Sequence, residues 1–191
     1  MEHRHFKLFK PYGYLSQFQT NAKHERHKKF LGELYDFPEG TMAIGRLDKD
    51  SEGLLLLTTN GKVSHDITSG KTDKEYYVQV DGDITKDALE QLQQGVAISH
   101  QSQIYTTKPC KAFKLDKLPD FPERAKKIRD ERHGKTSWLS ITLHEGKFRQ
   151  VRKMTAQVGF PTLRLVRVRI GTITLDDLEM GGVNEVFNPL L

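Results

Sequence analysis

Cysteine is almost absent from this chain of 191 residues, because Cys110 is the only one. A single cysteine excludes an internal disulfide and any zinc site built from several cysteines. Long apolar runs are also missing: the longest run of leucine is Leu54–Leu57, whereas a transmembrane helix needs about 20 apolar residues. Residues 1–6 carry charge and lack the apolar core of a signal peptide. We therefore expect a cytoplasmic protein.

Several catalytic signatures are missing as well. The sequence contains no Gly-x-Ser-x-Gly elbow, no Gly-x-x-x-x-Gly-Lys-Ser/Thr phosphate loop and no Gly-x-Gly-x-x-Gly dinucleotide turn. His144-Glu145 is not followed by the second histidine of a zinc-protease helix. Elbow-type hydrolases, P-loop enzymes and zinc proteases are therefore not indicated.

The composition indicates a folded globular protein, with 36% hydrophobic and 29% charged residues. The length suits one domain, or two small subdomains that share a core. A net charge of +5 is too small to identify a partner by itself.

Positive charge is nevertheless concentrated in one stretch. Between Gly146 and Leu175 there are seven basic residues and no acidic ones: Lys147, Arg149, Arg152, Lys153, Arg164, Arg167 and Arg169. Residues 176–191 reverse the balance, with Asp176, Asp177, Glu179 and Glu185 and no Lys or Arg. Such segregation favours a polyanionic partner, although a solvated basic face is the alternative.

Strands and helices are predicted in irregular order, which indicates an α+β fold. The predicted strands cover 54–59, 76–80, 140–143 and 162–170, the last with an apolar and a basic face. The predicted helices cover 22–36, 84–94 and 148–158, with Phe148 in the apolar stripe of the third. Asn60-Gly61 predicts a tight turn. Residues 111–135 are predicted to form an exposed connection that is partly helical around 122–132.

The segment Gly45–Gly53 carries the most concentrated candidate chemistry. Asp48, Asp50 and Glu52 lie within five residues, so they could chelate Mg²⁺ as in a nuclease. An exposed loop often has this composition, and the residues alone do not identify a reaction.

Four motifs occur together and in order along residues 6–175. They are Lys10-Pro11-Tyr12-Gly13-Tyr14-Leu15-Ser16, Gly45-Arg46-Leu47-Asp48-x-Asp50-Ser51-x-Gly53-Leu54-Leu55-Leu56-Leu57-Thr58, Lys74-x-Tyr76-x-Val78 and Glu145-Gly146-Lys147-x-Arg149-Gln150-Val151-Arg152-Lys153-Met154. In this set the sequence resembles the RNA pseudouridine synthases named for a small-subunit (16S) ribosomal RNA enzyme. Residues 158–165, with 136–139 upstream, are most similar to the E-type branch, which acts on large-subunit (23S) ribosomal RNA.

The resemblance implies a mixed, mainly antiparallel sheet in two subdomains that flank an active-site cleft. Residues 1–191 would form a single catalytic domain that consists of these two subdomains and includes the exposed connection at 111–135. Many relatives carry an N-terminal S4 RNA-binding domain, and we expect none here because the first motif begins at Lys10.

The resemblance also implies the reaction, which isomerises uridine to pseudouridine and needs neither cofactor nor metal. Asp48 corresponds to the catalytic carboxylate, which attacks ribose C1′ or removes a proton from C2′; the sequence does not choose between these. Arg152 would pair with Asp48, and Tyr76 would stack on the extruded base.

The remaining site predictions concern RNA contacts and the base pocket. The residues expected to contact RNA are Lys10, Arg46, Lys147, Arg149, Lys153, Arg164 and Arg167. Leu47 and Leu165 would line the base pocket, with core packing as the alternative. The expected partner is large-subunit ribosomal RNA, and the expected state is a monomer. A metal-dependent nuclease and a non-catalytic RNA-binding module are the competing hypotheses.

Overall fold

A computed structural model describes residues 2–25, 27–69, 72–129, 131–176 and 178–187. The strands are β1 His5–Lys10, β2 Met42–Ile44, β3 Glu52–Thr58, β4 Lys74–Asp81, β5 Ala97–His100, β6 Gln103–Thr106, β7 Lys111–Lys114, β8 Thr136–Leu143, β9 Thr162–Ile170, β10 Ile173–Thr174 and β11 Val183–Glu185. The α-helices of these ranges are α1 Gly61–Thr68, α2 Lys86–Gln94 and α3 Gln150–Gln157. The predicted α+β class is confirmed.

The chain divides into two compact units. Unit 1 comprises residues 1–72, 124–126 and 167–191, and unit 2 comprises 73–123 and 127–166. The boundary at 166/167 falls within β9, so each unit holds part of that strand.

Unit 1 is organised around β3. Leu54–Leu57 of this strand are completely buried, as expected for a strand covered on both faces. β1 runs antiparallel to β3 in a register that places His5 opposite Thr58 and Lys10 opposite Gly53. β2 pairs with β3 and β11 pairs with β1, both also antiparallel. The predicted strand at 54–59 is confirmed.

The Asn60-Gly61 turn prediction is wrong, because Asn60 caps helix α1, which begins at Gly61. The Asn60 side-chain oxygen accepts hydrogen bonds from the backbone N–H groups of Lys62 at 3.0 Å and Val63 at 3.4 Å. This is an N-cap, and asparagine favours both caps and turns for the same reason. The Asn-Gly pair alone therefore did not distinguish the two.

The predicted helix at 22–36 is also wrong. Its described residues contain only two 3₁₀ turns, Lys23–Glu25 and Leu31–Glu33, and Arg26 lies outside the described residues. Among the described side chains of this segment only Leu31 is fully buried, so they present no buried helical stripe.

Unit 2 is organised around β8. β4 pairs antiparallel with β8 along its whole length, and β7 pairs with the other edge of β8. β5 and β6 form a separate hairpin. The strand predictions for 76–80, 140–143 and 162–170 are confirmed.

The predicted helix at 84–94 is confirmed as α2. The Thr85 hydroxyl caps it by accepting from the N–H of Ala88 at 3.2 Å, and Ala88 and Leu92 are buried on one face. Gly95 ends the helix with φ of 100°, a conformation that glycine adopts readily.

The segment 111–135 is more structured than predicted. It begins with β7, and the Phe121 ring packs against the rings of Tyr77 and Trp138 at centroid distances of 6.2 and 5.9 Å. The helix predicted around 122–132 is wrong for the described residues, which contain only the 3₁₀ turn Glu131–His133. Asp130 lies outside the described residues.

The helix predicted at 148–158 is confirmed in part as α3. Val151, Met154 and Thr155 are buried as expected, but Phe148 precedes the helix and is 66% exposed. None of the described helices is long and apolar enough to cross a membrane.

Candidate active site

Asp48 lies in the loop between β2 and β3 of unit 1, and this loop is fixed by backbone contacts. The buried Ser16 hydroxyl donates to the carbonyl of Leu47 at 2.8 Å and accepts from the N–H of Leu47 at 2.9 Å. The carbonyl of Asp48 accepts from the N–H of Ser51, which closes a tight turn. Both contacts hold the backbone that carries the Asp48 carboxyl group.

A second loop of unit 1 supports the first. The N–H of Gly13 donates to the carbonyl of Lys49 at 2.8 Å, so the Lys10–Ser16 motif is tied directly to the Asp48 loop. Within that loop, Arg46 is exposed, Leu47 is buried and Asp48 is half-buried. Its carboxyl group therefore combines a fixed backbone with partial access from outside.

Lys10 does not lie on the surface, which corrects its predicted role as an RNA contact. It is 0% exposed, and its ammonium donates to the carbonyls of Pro11 at 3.0 Å and Tyr14 at 2.8 Å. Burial lowers the Lys10 pKa from 10.5 to about 7, although attraction to Glu52, Asp50 and Asp48 opposes this. Lys10 is therefore an internal support of the turn at 11–14, which Gly13 ties to the Asp48 loop.

Lys10 should make the stability of the protein depend on pH. Between about pH 7 and 10.5 the unfolded chain binds more protons at Lys10 than the folded chain, so rising pH favours the folded state. We expect the free energy of unfolding of the wild type, relative to Lys10→Met, to increase by on the order of 3 kcal/mol across this range. Urea unfolding of both proteins at several pH values measures it. Lys62→Met, at an exposed position, is the control. If the difference in free energy of unfolding between the wild type and Lys10→Met stayed constant or decreased with pH, the burial of a titrating Lys10 would be contradicted.

Arg167 is also internal, which corrects a second predicted RNA contact. It is 3% exposed, and its Nε donates to the carbonyl of Leu54 at 2.7 Å. The alternation in β9 correctly placed Arg167 opposite the apolar side chains, but that face is covered rather than solvated. Arg167 and the fully buried Glu52 belong with Lys10 to the charged interior beneath the loop.

Gly53 allows this close packing. A Cβ at Gly53 would lie 2.3 Å from the carbonyl oxygen and 2.7 Å from the nitrogen of Arg167, and φ of Gly53 is 104°. No other residue fits both the backbone conformation and the contact.

The three acidic residues of the loop do not form a metal cluster. Among the described residues, no group of three or more His, Cys, Asp or Glu side chains is arranged to hold a metal ion.

Unit 2 carries the other predicted catalytic residues. Tyr76 lies on β4 opposite Ile141 of β8 and is largely buried. Arg152 lies in the first turn of α3 and is half-buried. The residue before α3, Arg149, adopts the left-handed conformation with φ of 53°, which is uncommon for a non-glycine residue and frequent at functional sites.

Glu145 and Gln150 fix the turn that leads into α3. Glu145 accepts hydrogen bonds from the Tyr105 hydroxyl at 2.5 Å, the N–H of Lys108 at 2.9 Å and the Gln150 amide at 2.7 Å. Burial raises the pKa of Glu145, but these hydrogen bonds outweigh it and hold the pKa below its ordinary value. The Gln150 side-chain oxygen in turn accepts from the N–H of Lys147 at 2.9 Å.

The basic residues predicted in unit 2 differ in exposure. Lys147, Arg149 and Lys153 are half-buried, whereas Arg164 is 6% exposed. The Arg164 guanidinium donates to the carbonyl of Pro122 at 2.8 Å and lies 5.6 Å from the centre of the Phe121 ring. Its predicted role as a surface RNA contact is corrected accordingly. Leu47 and Leu165 are both buried. Their burial fits core packing and a pocket wall equally well, so the pocket role stays a prediction.

The predicted site residues therefore fall into two groups. Unit 1 holds Lys10, Arg46, Leu47, Asp48 and Arg167. Unit 2 holds Tyr76, Lys147, Arg149, Arg152, Lys153, Arg164 and Leu165. The pairing of Asp48 with Arg152 joins one residue of each unit and stays a prediction. Sequence reasoning did not assign the supporting roles of Ser16, Glu145 and Gln150, although all three lie within the quoted motifs.

Three comparisons with known proteins place these motifs in a family. The family model described as RNA pseudouridylate synthase matches residues 5–157. Ribosomal large subunit pseudouridine synthase E of Xanthomonas axonopodis pv. citri is 43% identical over 173 residues, covering 90% of this chain and 87% of that protein. The protein of the same name from Vibrio parahaemolyticus is 42% identical, covering 93% of this chain and 71% of that protein.

The fold supports the same assignment. A solved structure described as a pseudouridylate synthase superposes with a TM-score of 0.75 at 28% identity, covering 97% of this chain and 71% of that one. The matched residues 5–157 include the Asp48 loop, Tyr76 and Arg152. The chain therefore belongs to the RNA pseudouridylate synthase family and is an RNA pseudouridine synthase.

Proposed function

We propose that this enzyme converts a specific uridine of large-subunit ribosomal RNA to pseudouridine, with Asp48 as the catalytic carboxylate. The observation that carries the choice of RNA is the similarity to two large-subunit synthases over at least 90% of this chain. The observation that supports Asp48 is its loop, in which Ser16, Gly13 and Ser51 hold the backbone around a half-buried carboxyl group.

The reaction rearranges the nucleotide without adding or removing atoms overall. The bond between ribose C1′ and base N1 breaks, the base turns, and C5 forms the new bond to C1′. A proton leaves C5 and N1 gains one, so atoms and electrons balance and no cofactor is proposed. Asp48 would either attack C1′ or take a proton from C2′, and both roles need an ionised carboxylate in a fixed direction.

Arg152 and Tyr76 would complete the site. An arginine at salt-bridge distance keeps a carboxylate ionised and oriented, which is the role we propose for Arg152 towards Asp48. A flat aromatic ring suits a uracil that has been turned out of its helix, which is the role we propose for Tyr76. Leu47 and Leu165 would complete the apolar part of the base pocket.

The RNA surface we propose uses the basic side chains that remain partly exposed. These are Arg46 in the Asp48 loop, Lys147 and Arg149 just before α3, and Lys153 within α3. Lys10, Arg164 and Arg167 are assigned to internal support, because they are buried and their charged groups bind backbone carbonyls. The cytoplasmic location and monomeric state stay predictions.

The choice of RNA is tested by tritium release from transcripts that carry uridine tritiated at C5. We expect the purified enzyme to release tritium from the large-subunit ribosomal RNA of its own organism and not from the small-subunit RNA. The release should stop at about one equivalent per transcript, because one uridine is the target. Release from the small-subunit transcript alone would overturn the proposed substrate, and strand cleavage without release would favour the nuclease hypothesis.

A further inference from the structure

Phe148 is an exposed aromatic residue in the middle of the α3 motif. It is 66% exposed, whereas Val151 and Met154, the next apolar residues along the chain, are buried. The ring therefore contributes little to the core of unit 2. One exposed ring is not unusual by itself, so the argument depends on the groups around it.

Two lysines connect the start of α3 with the β5–β6 hairpin. The Lys153 ammonium lies 5.5 Å from the centre of the Phe148 ring and donates to the carbonyl of Ser99 in β5 at 2.7 Å. The Lys147 ammonium lies 4.8 Å from the centre of the Tyr105 ring in β6. Rings and cations thus alternate from the start of α3 onto the β5–β6 hairpin.

The hairpin is itself anchored and presents a surface. Tyr105 is held by its hydrogen bond to Glu145, so β6 is tied to the turn that precedes α3. The hairpin tip, Gln101 and Ser102, has positive φ values of 50° and 61°, as in a tight two-residue turn. Ile104 is 83% exposed beside a shallow pocket of about 330 Å³ that both hairpin strands line together with Gln157 of α3.

We propose that Phe148 and the β5–β6 hairpin form a binding platform for an unpaired nucleotide of the substrate RNA other than the target uridine. The base would stack on Phe148, while Lys147 and Lys153 neutralise the neighbouring phosphates. Alternating aromatic and cationic groups are the composition of sites that bind single-stranded RNA, since every base offers a flat face and every phosphate a charge. The two lysines favour RNA over an apolar protein segment. The proposal rests on RNA as the substrate class, not on the choice of ribosomal RNA.

The test measures binding of a single-stranded U12 oligonucleotide, which contains no ribosomal sequence. We expect Phe148→Ala to weaken the affinity for U12 roughly 5- to 150-fold, the effect of losing one stacked base, and Phe148→Trp to keep it. In the activity assay, Phe148→Ala should raise KM by a similar factor and leave kcat within about twofold. Because the ring is exposed, neither variant should change the thermal unfolding.

A second signal reports stacking directly. Trp138, the one native tryptophan, is buried, so the added emission of Phe148→Trp comes from the platform. That emission should be quenched as U12 binds.

Phe187 supplies the matched control. It is 96% exposed, and residues 176–191 carry no Lys or Arg, so Phe187→Ala should bind U12 like the wild type. Three results would each overturn the platform. They are an unchanged affinity of Phe148→Ala for U12, an equal loss of affinity in Phe187→Ala, and Phe148→Trp emission that U12 does not quench. The first result would favour a protein partner for this surface. These outcomes are independent of the tritium assay, so failure of the ribosomal substrate and failure of the platform are distinguishable.

Discussion

Changing Asp48 to Asn is expected to lower the rate of pseudouridine formation by at least about 10³-fold. The carboxamide has nearly the same shape as the carboxylate, but it can neither attack C1′ nor accept a proton from C2′. Ser16, Gly13 and Ser51 hold the backbone of the loop, and asparagine keeps the size of the side chain, so the fold should persist. Tritium release measures the rate, and urea unfolding should give a free energy within about 1 kcal/mol of the wild type.

Asp50→Asn is the matched control, since it makes the same chemical change two residues away. We expect it to retain activity within about tenfold, because Asp50 has no proposed role at the ribose. A metal-dependent nuclease would need both carboxylates, and a binding module would need neither. Full turnover by Asp48→Asn would exclude Asp48 as the catalytic group, and equal losses in both variants would favour a shared role of the two carboxylates.

Changing Gly53 to Ala is expected to destabilise the protein by at least about 3 kcal/mol. The added methyl group would lie 2.3 Å from the carbonyl oxygen of Arg167, and φ of 104° already disfavours alanine. Relief would require β3 and the backbone at Arg167 to separate, which would disturb the hydrogen bond from Arg167 to the Leu54 carbonyl. Urea unfolding monitored by circular dichroism gives the change in free energy.

Gly61→Ala controls for the substitution itself. Gly61 is the first residue of α1, and a Cβ there meets no atom within 4 Å. Alanine should therefore be neutral or should stabilise by up to about 1 kcal/mol, since it favours the helix. If Gly53→Ala were as stable as Gly61→Ala, the close approach of β3 to Arg167 would be wrong.

Elements with a strong local signal could be predicted from the sequence. The leucine run of β3 is apolar without interruption, and α2 has both a Thr85 cap and a Gly95 stop. The helix at 22–36 failed because a polar segment with one buried anchor, Leu31, has no periodic face to bury. Helix α1 was missed because Asn60 caps a helix with the same side-chain oxygen that would close a turn.

The burial of charged residues could not be predicted in the same way. The alternation of β9 shows that Arg167 faces away from its apolar neighbours, but not that the Leu54 carbonyl receives its guanidinium. The same holds for Arg164, which Phe121 and Pro122 cover from a distant part of the chain. Lys10 is buried because pairing with β3 places it against Gly53, a long-range contact that no local pattern reports.

The candidate site was predicted through motifs rather than through periodicity. The motifs identified Asp48, Tyr76 and Arg152. The structure shows what other residues of the same motifs do. Ser16 holds Leu47 in place, and Glu145 and Gln150 shape the entry to α3. Phe148 was assigned to an apolar stripe because helical spacing does not reveal where α3 begins.

The central claim is that this protein modifies one uridine of large-subunit ribosomal RNA through Asp48. The decisive experiment maps pseudouridines in the ribosomal RNA of cells that lack the gene. The same map is made for these cells supplied with the wild type or with Asp48→Asn. We expect one pseudouridine to disappear from the large-subunit RNA, to return with the wild type and to stay absent with Asp48→Asn. An unchanged map without the gene, or restoration by Asp48→Asn, would contradict it.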